Sequence, residues 1–110
     1  MEKRNPQLRR IPVVADVTLT DGSGGYLGTT ANISKAGMCI TGLHSRLLAN
    51  RITLTTTLGG KNFRLEGRVC HTSRVDNTIT VGIEFCYGQK LDKWTSMIDD
   101  KVKFRPSANQ

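Results

Sequence analysis

Aromatic residues are scarce. Three Phe, two Tyr and one Trp make up 5% of the 110 residues, so any core must be built mainly from aliphatic side chains. A platform that stacks nucleic-acid bases wants several exposed aromatics on one sheet face, and most of these six fall where a core is expected. Long apolar runs are absent. None approaches the ~20 residues of a membrane-spanning helix. Cysteine is limited to Cys39, Cys70 and Cys86, an odd number without C-x-x-C spacing, which argues against a disulfide framework. His44 and His71 fit no zinc pattern, and the neighbours Cys70 and His71 would point to opposite faces of a strand. A Cys/His nucleophile pair has no third orienting group. The thiols are expected to act as buried or half-buried small apolar residues. H-E-x-x-H, G-x-S-x-G, a Walker loop and a close carboxylate pair are all missing, so the chain is expected not to be an enzyme. Acidic residues are few, nine against sixteen Lys and Arg, which leaves a formal charge of +7. That balance favours anionic partners. The polar start, Met1 to Pro6, is followed by no apolar signal region, and the expected compartment is the cytoplasm.

What is present reads as one domain. Ile11, Val13, Ala15, Val17 and Leu19 alternate with other residues as one face of a strand. Asp21 to Gly25 reads as a turn. Tyr26 to Asn32 is Thr-rich and suits a hairpin partner, and Gly37 to Thr41 is a short apolar run. Ile52, Leu54, Thr56 and Leu58 share a face. Gly59-Gly60 is a hairpin signal. Phe63, Leu65, Gly67 and Val69 follow. Asp76-Asn77 turns the chain into Ile79, Val81, Ile83 and Phe85. After Gly88 the period changes. Leu91, Trp94, Ile98 and Val102 form a helical stripe flanked by Met97 and Lys101, with Trp94 as a core plug. The helix is expected over about 89–103, ahead of Pro106 and a tail at 105–110. Short antiparallel strands in so small a chain tend to close into a barrel, because closure removes unpaired edges.

Two polar clusters stand apart from this pattern. Lys3, Arg4, Arg9 and Arg10 surround Pro6 ahead of the first strand. Such an arm, residues 1–10, is either simply solvated or an anion clamp, since guanidinium forks hold phosphate in bidentate fashion and stack on purines. Nothing in it can pack by itself, so it is expected to be flexible. The second cluster is Asn32-Ile33-Ser34-Lys35-Ala36-Gly37. If extended, Asn32 and Ser34 share a face and can address one ligand, and Gly37 permits a tight turn or close ligand approach. The plainer reading is an Asx or Ser turn between strands.

Together the clusters resemble a known family. Asn32-x-Ser34-x-x-Gly37 matches the [Asp/Asn]-x-Ser-x-x-Gly motif of PilZ domains. The arginine-rich arm leading into Ile11-Pro12-Val13 looks like that family's R-x-x-x-R lead-in, and Val81-Gly82-Ile83-Glu84-Phe85 is similar to its late V-G-h-x-F strand. The resemblance implies a mainly all-β fold, a six-stranded antiparallel β-barrel with a C-terminal α-helix, here over residues 11–104. It also implies a bacterial, non-enzymatic signal-transduction receptor for cyclic di-GMP. Arginines of the arm would grip phosphate and the N7/O6 edge of guanine. Asn32 and Ser34 would add polar contacts, Gly37 would leave room for the base, and arm closure would signal to a downstream protein. No cofactor beyond this ligand is implied.

The chain departs from the family pattern in the arm, where Arg4 and Arg9 stand five apart and Arg4 and Arg10 six. The strand that follows aligns Arg10 with the second family arginine, and Pro6 then occupies the first position. Three arrangements stay open: Arg4 reaching around Pro6, Arg9 and Arg10 forming the clamp, or a degenerate site. The candidate ligand residues are accordingly Arg4, Arg9, Arg10, Asn32, Ser34 and Gly37. The alternatives to a receptor are an adaptor that works through protein contacts without nucleotide, and a small basic barrel that binds RNA or single-stranded DNA.

Overall fold

The structure, a computed structural model, describes residues 9–47 and 49–104, and of 102–104 the backbone. Arg4 and the rest of residues 1–8, and the tail at 105–110, lie outside the described residues.

Six strands form the fold: β1 (Asp16–Thr20), β2 (Gly25–Ile33), β3 (Gly37–Leu43), β4 (Arg51–Leu58), β5 (Lys61–Val75) and β6 (Thr78–Phe85), followed by helix α1 (Asp92–Phe104). They close into a barrel in the order β1-β2-β3-β6-β5-β4, and β4 returns to β1. Every pairing is antiparallel. Closure leaves no sheet with two free edges, which suits a chain with few bulky residues to cover them.

The alternating residues read from the sequence face inward. Val17, Leu19, Ile52, Leu54, Leu58, Phe63, Leu65, Ile79, Val81, Ile83 and Phe85 are all buried. The β4–β5 hairpin turns on Gly59 and Gly60, both at positive φ (58° and 78°). Two such residues in a row match the twist of the flanking strands, and glycine adopts them without a Cβ clash. Helix α1 buries Trp94, Met97 and Ile98 against one end of the barrel. Trp94 meets Phe63 and Phe85 edge-on, with ring centroids 5.2 and 5.3 Å apart, a geometry worth about 0.5–1.5 kcal/mol per pair beyond burial. Its position as the core plug is as expected.

Several boundaries differ from the sequence reading, each for a tertiary reason. The first strand does not run unbroken from Ile11. Regular pairing starts at Asp16, and Ile11 touches the sheet by itself through a bridge to Ile33. Strand β5 continues past Val69 to Val75, beyond its last β4 partner, because β6 keeps pairing with it. The helix begins at Asp92 and not at 89: the Thr95 amide donates to the Leu91 carbonyl at 2.8 Å, while Gln89 stays ahead of the helix and its side chain ties back to the preceding chain. Its Oε1 accepts from the Glu66 amide (2.8 Å), and its Nε2 donates to the carbonyls of Glu66 (2.7 Å) and Cys86 (2.9 Å). Cys70 is exposed, whereas Cys39 and Cys86 are half-buried. Cys70 falls at the register shift between Val69 and His71, where an extra residue leaves the alternation. No described helix is long and apolar enough to cross a membrane.

Candidate functional site

Arg10 of the first polar cluster meets Asn32 of the second where the chain enters the barrel. Ile11 and Ile33 exchange both backbone hydrogen bonds, Ile11 N–H to Ile33 O at 2.8 Å and Ile33 N–H to Ile11 O at 2.9 Å. Both side chains are buried, Ile11 at 5% and Ile33 at 0% exposure. This anchored pair fixes the backbone of the preceding residue, Arg10, beside β2. Because Ile11 points into the core, Arg10 points out. Its Nη1 donates to Asn32 Oδ1 at 3.1 Å. Arg9 is exposed next to it. Among the described residues neither arginine has a carboxylate partner in an ion pair, so both guanidiniums retain donors for an anion.

Asn32 owes its aim to a bulge. Thr30 pairs with Ile40 and Asn32 with Cys39, so Ala31 is an extra residue in β2. The insertion shifts the alternation by one. Thr30 and Ile33, three apart, are both buried, while Ala31 is exposed and Asn32 half-buried. A bulge that re-aims one side chain in this way is common beside functional sites.

Ser34 and Gly37 are placed differently. Strand β2 ends at Ile33, and the Ser34 amide turns to donate to the Gly37 carbonyl at 2.9 Å. The Ser34 hydroxyl accepts from the Ala36 amide (3.2 Å) and donates to the Gly37 carbonyl (3.4 Å). The residue is only 9% exposed. Its carbonyl accepts from Trp94 Nε1–H at 2.8 Å. Lys35 next in line pairs with Asp99 of α1 at 2.9 Å. The motif loop is therefore tied to the helix. At Gly37 an added Cβ would lie 2.0 Å from the Ile83 carbonyl oxygen, so glycine is needed there for β3 to approach β6. The structure thus brings Arg10 and Asn32 together, leaves Arg9 exposed beside Arg10 in the chain, and ties the Ser34–Gly37 loop to the scaffold beneath it.

One nearby residue was given no role by the sequence. Tyr87 is 96% exposed at the rim of a cleft of about 500 Å³ that Lys35, Ala36, Gln89 and Leu91 also line. A planar, fully accessible ring there can accept a flat ligand group. Its only signal in the sequence was its place just beyond the last strand. A larger cleft of about 790 Å³, lined by Val14, Thr56, Leu58 and Phe63, opens elsewhere on the barrel and includes no motif residue. Among the described residues no group of His, Cys, Asp and Glu is arranged to hold a metal ion.

Comparison with known proteins agrees with this architecture. The model of the PilZ domain family matches residues 2–95. Among solved structures, the inhibitor of motility MotI/DgrA of Bacillus subtilis is similar at 18% identity, with a TM-score of 0.70 over 96% of this chain. The chain spans 55% of that protein's length. The PilZ domain of YcgR from Escherichia coli, solved with c-di-GMP, is 12% identical with a TM-score of 0.69, covering 91% of this chain and 97% of that one. A PilZ domain of CeSA from a cellulose-synthesizing bacterium is 22% identical with a TM-score of 0.59, covering 89% and 99%. No curated protein matches.

Proposed function

This chain belongs to the PilZ domain family, and from that membership we propose that it is a non-enzymatic receptor for cyclic di-GMP. The observation that supports the reading most is the Arg10–Asn32 contact at the root of the arm. It joins Arg10 of the arginine cluster to the Asn-x-Ser-x-x-Gly motif across 22 positions of sequence. Cyclic di-GMP is a dianion with two guanines. Arg10 and Arg9 supply forks for phosphate and for the guanine N7/O6 edge, and Arg4 joins them if the arm folds over. Asn32 orients Arg10 and offers its own amide. Ser34 and Gly37 act by shaping the loop that carries Lys35. Arm closure over the ligand is the signalling event, an ordering driven by charge-assisted hydrogen bonds, and the closed arm is read by a downstream protein in the cytoplasm.

Two forks and the Asn32 contact, less the cost of ordering the arm, lead to binding around micromolar, about −8 kcal/mol. Calorimetric titration with cyclic di-GMP, with GTP and a short oligonucleotide as controls, tests this. Heat with cyclic di-GMP alone, weakening as salt rises, is expected. Silence far above that concentration would replace the receptor with the adaptor reading, and heat with the oligonucleotide would favour nucleic acid.

A further inference from the structure

The segment between Ile11 and Asp16 leaves the sheet and returns. Between the paired positions Asp16↔Thr29 and Ile11↔Ile33 there are four residues on the incoming chain, 12–15, and three on β2, 30–32. A ladder cannot pair four against three, and Pro12 has no amide to offer. The mismatch is taken up by one side chain. Thr30 is 1% exposed, and its amide donates to the Ala15 carbonyl at 2.9 Å. Its hydroxyl accepts from the Ala15 amide at 2.9 Å and donates to the Val13 carbonyl. The hydroxyl thus occupies the place of a missing strand residue. It holds the jog that thrusts Val14 outward, 82% exposed, and lets Ile11 drop back onto Ile33.

We infer that Thr30 is a positioning residue for the ligand site: its hydroxyl sets where the arm's root lands and hence whether Arg10 meets Asn32. This rests on reading the Arg10–Asn32 pair as part of the cyclic di-GMP site. The hydrogen bonds of Thr30 go to Val13 and Ala15, not to that pair, so it acts through them and the Ile11–Ile33 bridge. A threonine is suited to the task. Its methyl group fills apolar space while its hydroxyl both donates and accepts, and valine has the same shape without either bond.

The test compares Thr30→Val and Thr30→Ser with the parent, by calorimetry with cyclic di-GMP and by amide exchange. Thr30→Val is expected to weaken binding about tenfold or more, the loss of a well-placed charged hydrogen bond, and to speed exchange at the Ile11 and Ile33 amides. Thr30→Ser keeps the hydroxyl and is expected to bind close to the parent. In an Arg10→Ala background Thr30→Val is expected to cost little further affinity, since the two act in series. Folded Thr30→Val that binds like the parent, or a full additional loss in the Arg10→Ala background, would overturn the inference. If Thr30→Val does not fold, exchange in the parent decides: Ala15 and Ile11 amides protected like those of β1 support the clip, and loop-like exchange refutes it. A parent that does not bind cyclic di-GMP but shows this protection would sink the receptor reading and leave the clip standing.

Discussion

Replacing Gly37 with alanine separates the two roles a motif glycine can have. The added Cβ would stand 2.0 Å from the Ile83 carbonyl oxygen, 3.0 Å from its carbon and 3.3 Å from Glu84 Cα. A carbon rests no nearer than about 3.3 Å to such an oxygen, so the shortfall is roughly 1.3 Å. All three obstacles are backbone of β6, and no rotamer change relieves them. Strands β3 and β6 must part around the Gly37↔Glu84 and Met38↔Ile83 pairs, loosening ladder hydrogen bonds worth about 1 kcal/mol each and the buried contacts of Met38 and Ile83. Overpacking of this kind costs ~1–3 kcal/mol, occasionally more. A backbone clash between neighbouring barrel strands belongs at the upper end, so we expect about 3–5 kcal/mol. At roughly 4–8 °C per kcal/mol for a domain near this size, melting falls by at least about 12 °C. Thermal and urea denaturation of the ligand-free protein measure this. Gly24→Ala is the control, since nothing lies within 4 Å of a Cβ there, and it should be nearly silent. If Gly37→Ala melts with the parent yet fails to bind ligand, the packing argument is wrong and the glycine serves the ligand directly.

Arg10→Ala is expected to weaken cyclic di-GMP binding by about 1.5–3 kcal/mol, and by more than Arg4→Ala, because the Ile11–Ile33 bridge holds its backbone in place; the reverse order in calorimetry would move the clamp to Arg4. Trp94→Phe removes the donor to the buried Ser34 carbonyl and should cost about 2–4 kcal/mol from the unpaired carbonyl and the smaller ring; urea denaturation within 0.5 kcal/mol of the parent, to roughly the scatter of surface substitutions, would show that the helix is not held by this bond. The Tyr26 phenol donates to Asp21 Oδ2 at 2.9 Å, and this bond to a carboxylate raises its pKa above the ordinary value of 10.0. The folded state therefore favours the protonated phenol, and the stabilisation is present below pH about 10 and lost as pH rises through the higher folded value. Absorbance titration of Asp21→Asn should bring the Tyr26 transition back toward that of free tyrosine, and an unchanged transition would contradict the cause.

Much of the fold was legible because its signals are local. Ile52 to Leu58 and Ile79 to Phe85 alternate without interruption, and each strand kept its inward face in the barrel. Gly59-Gly60 allowed little except a tight hairpin, and Trp94 and Ile98 defined a helical face, with Leu91 just ahead of it. The candidate site was legible only as a set of residue types. Asn32 and Ser34 share a face in an ideal strand, yet β2 carries a bulge at Ala31 and ends at Ile33, so one side chain meets Arg10 and the other turns under the loop. The bulge has no signature in Thr29-Thr30-Ala31-Asn32, because an extra residue exists only relative to a partner strand.

The sequence by itself determined the class of the molecule: a basic, aliphatic, mostly β chain with a terminal helix, an arginine cluster at one end and a polar loop after the second strand. Those properties follow from composition and period, which each segment holds alone. Tertiary structure decided which polar groups meet. Arg10 reaches Asn32 because Ile11 and Ile33 fill the same core, and Thr30 spans the jog because 12–15 and 30–32 differ in length. Gly37 is held to its identity by a carbonyl 46 residues away, and the backbone at Ser34 is tied to a tryptophan 60 residues away. Such pairings depend on register and closure, which are set by all six strands at once and by no segment separately.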